Sequence, residues 1–258
     1  MLCRDIMNVI ETTYPKHAAL EWDNVGLVVG RVEKEVNKIY IALDATDEVI
    51  DDAIMKGADM LITHHPLLFS PLKKITDEHF IGSRVVKLIQ HDISYYAMHT
   101  NYDVFGMADL SGNILGLDEM EVLEVTDMEH MEGIGRVGML PKEMSLQECC
   151  ELVKDKFQLE NVKVFGDLNK IVKRVAISPG SGKGMADVAI GKQAEVLITG
   201  DIAHHDGIDA VAQGIAIVDA GHYGLEHIFV EDMVQYLNQH FSELEIMKTE
   251  NVHPFQVI

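Results

Sequence analysis

Short apolar runs alternate with amphipathic stretches along most of the chain. Ile39–Leu43, Met60–Thr63 and Ile93–Met98 are predominantly apolar, as in strands covered on both faces. Between them, Asp47–Lys56 sets Val49, Ile50, Ala53 and Ile54 on one helical face, with Thr46 or Asp47 as its cap. Gly82–His91 does the same with Val85, Val86, Leu88 and Ile89, and an N-terminal helix over Met1–Tyr14 stops at Pro15. The rhythm returns further on. It predicts helices at Ser145–Phe157, Met185–Lys192, near Ile208–Gln213 and at Ile228–Phe241. Strands are expected at Val162–Phe165, Val175–Ser178, Val196–Thr199 and Ile215–Val218. Residues 121–140 interrupt the pattern with Gly133, Gly135 and Gly138 before Pro141, so the junction of two halves is expected near 120–130, dividing 1–125 from 126–258.

The halves contain the same unit written twice. Ala53–Thr63 and Ala189–Thr199 are identical at seven of eleven positions, and Asp59/Glu195 and Met60/Val196 are conservative differences. The expected fold is therefore α/β: two similar α/β domains from an internal duplication, each a mixed sheet flanked by helices. A metal site is expected between the halves, because both copies lead into His and carboxylate groups. The first runs into His64-His65-Pro66, the second into Gly200-Asp201-Ile202-Ala203-His204-His205. Further on, His99 and Asp103 in one half and His222 and Glu226 in the other both read His-x-x-x-acid after an apolar run.

Composition narrows the reading. With 258 residues and 47% hydrophobic content the chain can bury a core, and no apolar run approaches the roughly 20 residues of a membrane-spanning helix. Met1-Leu2-Cys3-Arg4-Asp5 carries an early acid and no long apolar core, so it does not read as a secretory leader and a cytoplasmic location is expected. The net charge of −21 repels phosphate backbones and argues against nucleic acid as a partner. Of three cysteines, Cys149 and Cys150 are adjacent in a helical pattern and no CxxC pair exists, which argues against a thiolate zinc site or a disulfide framework.

The candidate chemistry is a nitrogen and oxygen donor set: His64, His65, Asp103, His222 and Glu226. Ligands in open α/β sheets bind beyond the carboxyl ends of strands, where His64 and His65 lie. Adjacent residues of an extended segment point apart, so this pair suits two neighbouring ions better than one. The plain alternative is a pair of loop histidines making hydrogen bonds. His222 and Glu226 at i, i+4 would share one helical face, as a ligand pair or as a salt-linked surface pair. Asp103 is a further carboxylate ligand or an Asx turn. His99 is a ligand or a group that orients one. His204 and His205 face a substrate or simply begin a helix. Gly180-Ser181-Gly182-Lys183-Gly184 could cradle an anion at a helix start, but it lacks the full phosphate-loop spacing and reads equally as a turn. The donor set suits Zn, Mn, Fe or Co better than Cu(I) or an iron–sulfur cluster.

The motifs Glu21-Trp22-Asp23-Asn24-Val25-Gly26-Leu27, Ile62–Pro66, His99–Asp103, Gly200–His205 and Asp219–Glu226 together resemble the GTP cyclohydrolase 1 type 2 homologue family, also described as the Nif-three-like dinuclear-metal family. They occur in the family's order over residues 21–226, and the length is that of the short bacterial form. Only Gly224-Leu225 departs, where a small polar residue would be expected. The resemblance implies a two-domain fold, two divalent metal ions per chain and a toroidal homohexamer. It assigns His65 and Asp103 to one metal, His64 and His222 to the other, and Glu226 to both. The family name implies opening of the GTP imidazole ring, with His99, His204 or His205 moving protons. The expected function is a metal-dependent hydrolase of a small-molecule substrate. The alternatives are a non-catalytic metal-binding or metallochaperone-like protein, or a hexameric interaction scaffold.

Overall fold

The computed structural model describes residues 1–250 and 253–256. In chain order the elements begin with α1 (Cys3–Thr13), β1 (Gly26–Val29), β2 (Lys38–Ala42), α2 (Asp47–Met55), β3 (Met60–Thr63), α3 (Phe80–Gln90), β4 (Ser94–Ala97) and α4 (Thr100–Tyr102). A π-helical turn at Asp103–Met107 leads to α5 (Ala108–Leu115). Then come β5 (Asp118–Asp127), β6 (Glu132–Ser145), α6 (Leu146–Phe157), β7 (Lys163–Phe165), β8 (Ile171–Ser181), α7 (Met185–Gly191) and β9 (Val196–Gly200). After these come α8 (His204–Ala212), β10 (Ala216–Asp219), α9 (His222–Glu226), α10 (Ile228–His240) and β11 (Glu245–Lys248).

Two compact units result. One holds residues 1–102 and 229–250, the other residues 103–228 and 253–256. The chain thus leaves the first unit at 102/103 and returns at 228/229, whereas the sequence pattern suggested one junction at 125/126. That point falls inside β5, part of a long antiparallel hairpin with β6. Its glycines do not break the sheet. Gly133 lies against the Glu124 carbonyl and Gly138 against the Asp118 carbonyl, where any side chain would collide with the neighbouring strand. The return to the first unit has a clear cause: β11 adds in parallel to the edge of β2, pairing Ile246 with Ile39 and Lys248 with Ile41.

In the first unit the sheet order is β1-β4-β3-β2-β11, with β2, β3 and β4 parallel and β1 antiparallel to β4. The parallel strands are buried along almost their whole length, which is why they read as continuous apolar runs. Tyr40, Leu61 and Tyr95 pack with Ile50 and Ala53 of α2 and Val85 and Leu88 of α3. Thr46 caps α2 by accepting a hydrogen bond from Val49 N at 3.2 Å, as the sequence suggested. α1 and α10 meet through Tyr14 and Tyr236, whose rings are 5.3 Å apart, and through the Thr13–Tyr236 hydroxyl pair.

In the second unit the order is β5-β6-β8-β9-β10-β7. Here β8, β9 and β10 are parallel, and β7 pairs antiparallel with β10. The four-stranded cores are the same: three parallel strands in sequence order, then an antiparallel strand that precedes them in the chain. The internal duplication is therefore visible in topology as well as in sequence. What differs is the outer edge, β11 in one sheet and the β5–β6 hairpin in the other. Ser145 and Glu148 form a reciprocal capping box at the start of α6.

A candidate metal centre

In the first unit, chemistry collects at the carboxyl ends of β2, β3 and β4. His64 and His65 come directly after β3, and His99 lies two residues past β4. His64 is fully buried, and His65 and His99 are half-buried. The three offer ligand atoms that all lie within 4.8 Å of one another. Each ring is tied at Nδ1. His64 Nδ1 bonds the Met98 carbonyl at 2.8 Å, His65 Nδ1 the Asp44 carboxylate at 2.7 Å, and His99 Nδ1 the Asp23 carboxylate at 3.0 Å. Metal-binding histidines are oriented in this way, the outer bond fixing the tautomer and turning Nε2 toward the ion. The backbone beneath is clamped as well. The buried Tyr95 hydroxyl donates to the His65 carbonyl at 2.9 Å and accepts from Leu67 N at 2.8 Å, and Thr63 Oγ1 also donates to that carbonyl.

Asp23 is a heavily bonded carboxylate. It accepts from His99 Nδ1, from Thr100 N at 3.0 Å and from Thr100 Oγ1 at 2.5 Å. Burial works against its charge, but the hydrogen bonds from His99 and Thr100 prevail and hold its carboxyl down at about 2. Asp103, half-buried, opens the π-helical turn. Such turns recur at functional sites because they re-aim one side chain within a continuing helix.

In the second unit, α9 starts three residues past β10 and presents His222 and Glu226 on one face. Their Nε2 and Oε2 atoms are 3.0 Å apart, and Glu226 is 2% exposed. His222 Nδ1 meets the Asp201 carboxylate at 2.8 Å. Asp201 has a left-handed backbone (φ 55°), which Asp tolerates better than most residues and which turns its side chain back toward His222. Asp219, 7% exposed, accepts from Ile202 N and Gly221 N and pairs with Lys163 at 2.7 Å, tying together the two turns that carry Asp201 and His222. The glycine loop serves the same turn. Gly180 ends β8 with φ +80°, and a methyl group there would lie 2.5 Å from Glu226 Oε1. Gly180 therefore makes room for a carboxylate. Gly200 gives the α9 backbone its close approach, lying against His222 N.

His204 and His205 stand at the start of α8, both exposed, their rings 5.2 Å apart. Within the second unit neither joins His222 or Glu226 in a candidate metal group among the described residues. The sequence reading gave no role to Asp44 or Asp219. A carboxylate at or just past the end of a parallel strand was the available signal in both. All three cysteines are buried, and burial, followed by the neighbouring Cys150, pushes the Cys149 thiol up to about 12. No thiolate is on offer, and the nitrogen and oxygen donors fit a borderline or hard divalent ion. No described helix is long and apolar enough to cross a membrane.

Comparison with known proteins identifies the family. The GTP cyclohydrolase 1 type 2 homolog of Clostridium perfringens (strain 13 / Type A) is 37% identical over 262 residues, covering all of both chains. That of Clostridium acetobutylicum is 39% identical over 226 residues, covering 86% of this chain and 84% of the relative. Among solved structures, a Bacillus cereus protein related to NIF3 superposes with a TM-score of 0.91 at 26% identity, covering 100% of this chain and 99% of its own. Reduced HcgD from Methanocaldococcus jannaschii gives 0.85 at 33% identity, covering 97% and 98%. The profile of one family matches residues 1–254, and with the relatives above it shows that this chain belongs to the Duf34/NIF3 (NGG1p interacting factor 3) family.

Proposed function

We propose that the protein binds two divalent metal ions through His64, His65, Asp103, His222 and Glu226 and acts as a metal-dependent hydrolase on a small molecule. The observation that carries this reading is the Nδ1 anchoring of the histidines. His64, His65 and His222 each spend one ring nitrogen on a carbonyl or carboxylate, the preparation a ligating imidazole needs. The names of the relatives support the hydrolase class. A bound pair of divalent ions supplies Lewis acidity and activates water near neutral pH. The chain's own contribution is positional. Asp44 and Asp201 orient His65 and His222, and Asp23 fixes His99 so that its Nε2 can take or give a proton at the centre. The toroidal homohexamer belongs to the same proposal and predicts a solution mass six times that of the chain.

The test is metal content by elemental analysis on protein purified without chelator, for wild type, His64→Ala and His222→Ala. About two ions per chain in the wild type, with loss in both variants, is the expected result. A wild type that takes up no Zn, Mn, Fe or Co on reconstitution defeats the reading, as does a variant that keeps its full complement.

A further inference from the structure

Beside the three histidines stand two large apolar rings in water. Trp22 is 60% exposed and Phe69 53% exposed. Both lie within 6 Å of the same imidazole: the Trp22 centroid is 5.7 Å from His99 at 72°, and that of Phe69 is 5.8 Å away at 86°. Neither ring stacks flat on His99. An exposed indole and an exposed phenyl beside a polar cluster forgo burial worth roughly 1.5–3 kcal/mol for a large apolar side chain, so a reason for their position is wanted.

Their supports are polar and specific. Trp22 directly precedes Asp23, the carboxylate that fixes His99 and Thr100. Leu20 N donates to Thr100 Oγ1 at 2.9 Å, so the Trp22 turn is held from both sides. Asn24 Nδ2 donates to the Leu68 carbonyl at 2.7 Å, which links the turn carrying Trp22 to the backbone next to Phe69. The group that orients His99 thus also sets the position of the indole, and the next polar residue sets the distance to the phenyl. Preorganised aromatic walls registered to a catalytic cluster are what recognition of a flat ring requires, since less ordering is lost on binding.

We propose that Trp22 and Phe69 are specificity-determining residues that hold the planar, conjugated ring of a small-molecule substrate beside His99. This rests on the reading of the histidine cluster as the reaction centre. A protein partner is the less favoured occupant, because the two rings converge on one imidazole and are tied to it by a buried carboxylate. An interface between chains needs a broad surface of about 800 Å² per partner and no such registration.

Trp22 is the chain's single tryptophan, so its fluorescence reports on the site directly. Metal-reconstituted protein is titrated with purine riboside as the planar probe and with ribose and cyclohexanecarboxylate as controls. Metal content and solution mass are recorded for every variant. Expected are saturable quenching by purine riboside alone and a roughly tenfold or greater loss of its affinity in Phe69→Ala, the scale of removing one aromatic stacking partner. Phe69→Leu, which keeps apolar volume without the ring, should lose nearly as much, while Trp22→Phe, followed calorimetrically, should keep most of the binding. Metal content should be unchanged in all three. The inference is overturned if metal-loaded wild type shows no saturable response, if Phe69→Leu binds as the wild type does, or if the variants change the solution mass instead of affinity. A wild type that holds no metal fails the underlying reading instead, and is recognised before any probe is added.

Discussion

The two units share one four-stranded core but place different chemistry at equivalent strand ends. Ladder register makes this concrete. Thr63 pairs with Ala97 in one sheet and Thr199 with Asp219 in the other, and the next amides repeat the pattern: Met98 N bonds the Thr63 carbonyl, Ala220 N the Thr199 carbonyl. By this register His64 and His65 correspond to Gly200 and Asp201. His99 corresponds to Gly221, so the two His-x-x-x-acid motifs are displaced by one residue rather than matched. The end of β2 teaches the same lesson. Asp44 reaches His65 there, whereas the second unit has Gly180, which leaves space for Glu226. A duplicated scaffold keeps its ladder and changes the turn after each strand, so one half becomes rich in imidazole and the other carries a buried carboxylate.

The largest break in this comparison comes from Glu226→Ala. It removes the only buried carboxylate on α9, and metal per chain should fall from about two to one or fewer by elemental analysis. Retention of both ions would show that the second unit contributes no carboxylate. Gly180→Ala attacks the same group from its neighbour. The added methyl collides with the Glu226 carboxylate on a left-handed backbone, so stability should drop by up to about 3 kcal/mol in denaturant titration, with metal lost in parallel. Asp44→Ala and Asp201→Ala form a matched pair, one from each unit. Each frees an imidazole from its orienting carboxylate, and metal affinity measured by competition with a chelator should weaken roughly 10–100-fold in both. A strong effect in one alone would mean that only that half orients its ligand.

Asp23→Asn sharpens the comparison from the stability side. The wild-type carboxyl, held at about 2 against its ordinary 3.8, contributes stability that is complete above the ordinary value and disappears as pH falls through 2. The variant should be less stable by about 1 kcal/mol at neutral pH, and in acid-unfolding curves the gap should narrow from pH 3.8 downward and close as pH falls through about 2. The smallest effect belongs to His204→Ala and His205→Ala. Both side chains are exposed, so stability should stay within about 0.5 kcal/mol and metal content should not move. Metal loss in either would bring α8 into the site.

The elements most legible in the sequence are the fully buried parallel strands and the helices with one apolar face. β3 and β9 are apolar because every residue in them is buried, and their repeated sequences announce the duplication. The 118–145 hairpin was not legible, because Gly133 and Gly138 look like punctuation until a neighbouring strand is seen pressing on them. β11 was hidden by its brevity and by pairing with a strand some two hundred residues earlier, a contact no local pattern encodes. The site obeyed the same rule. His64, His65, His222 and Glu226 stood out as residue types, while Asp44 and Asp219 did not, since a single acid after a strand resembles any turn until its hydrogen bonds are known.

The place of β11 bears on how the chain is made. During synthesis, residues 103–228 leave the ribosome as one uninterrupted stretch, with every strand of their sheet present. The sheet begun by strands β1 to β4 waits with the edge of β2 open until β11 has emerged to pair with it. A strand edge laid down early thus waits some two hundred residues for its partner, and a nascent chain stalled before Glu245 carries an unpaired edge of the kind that recruits chaperones or other chains.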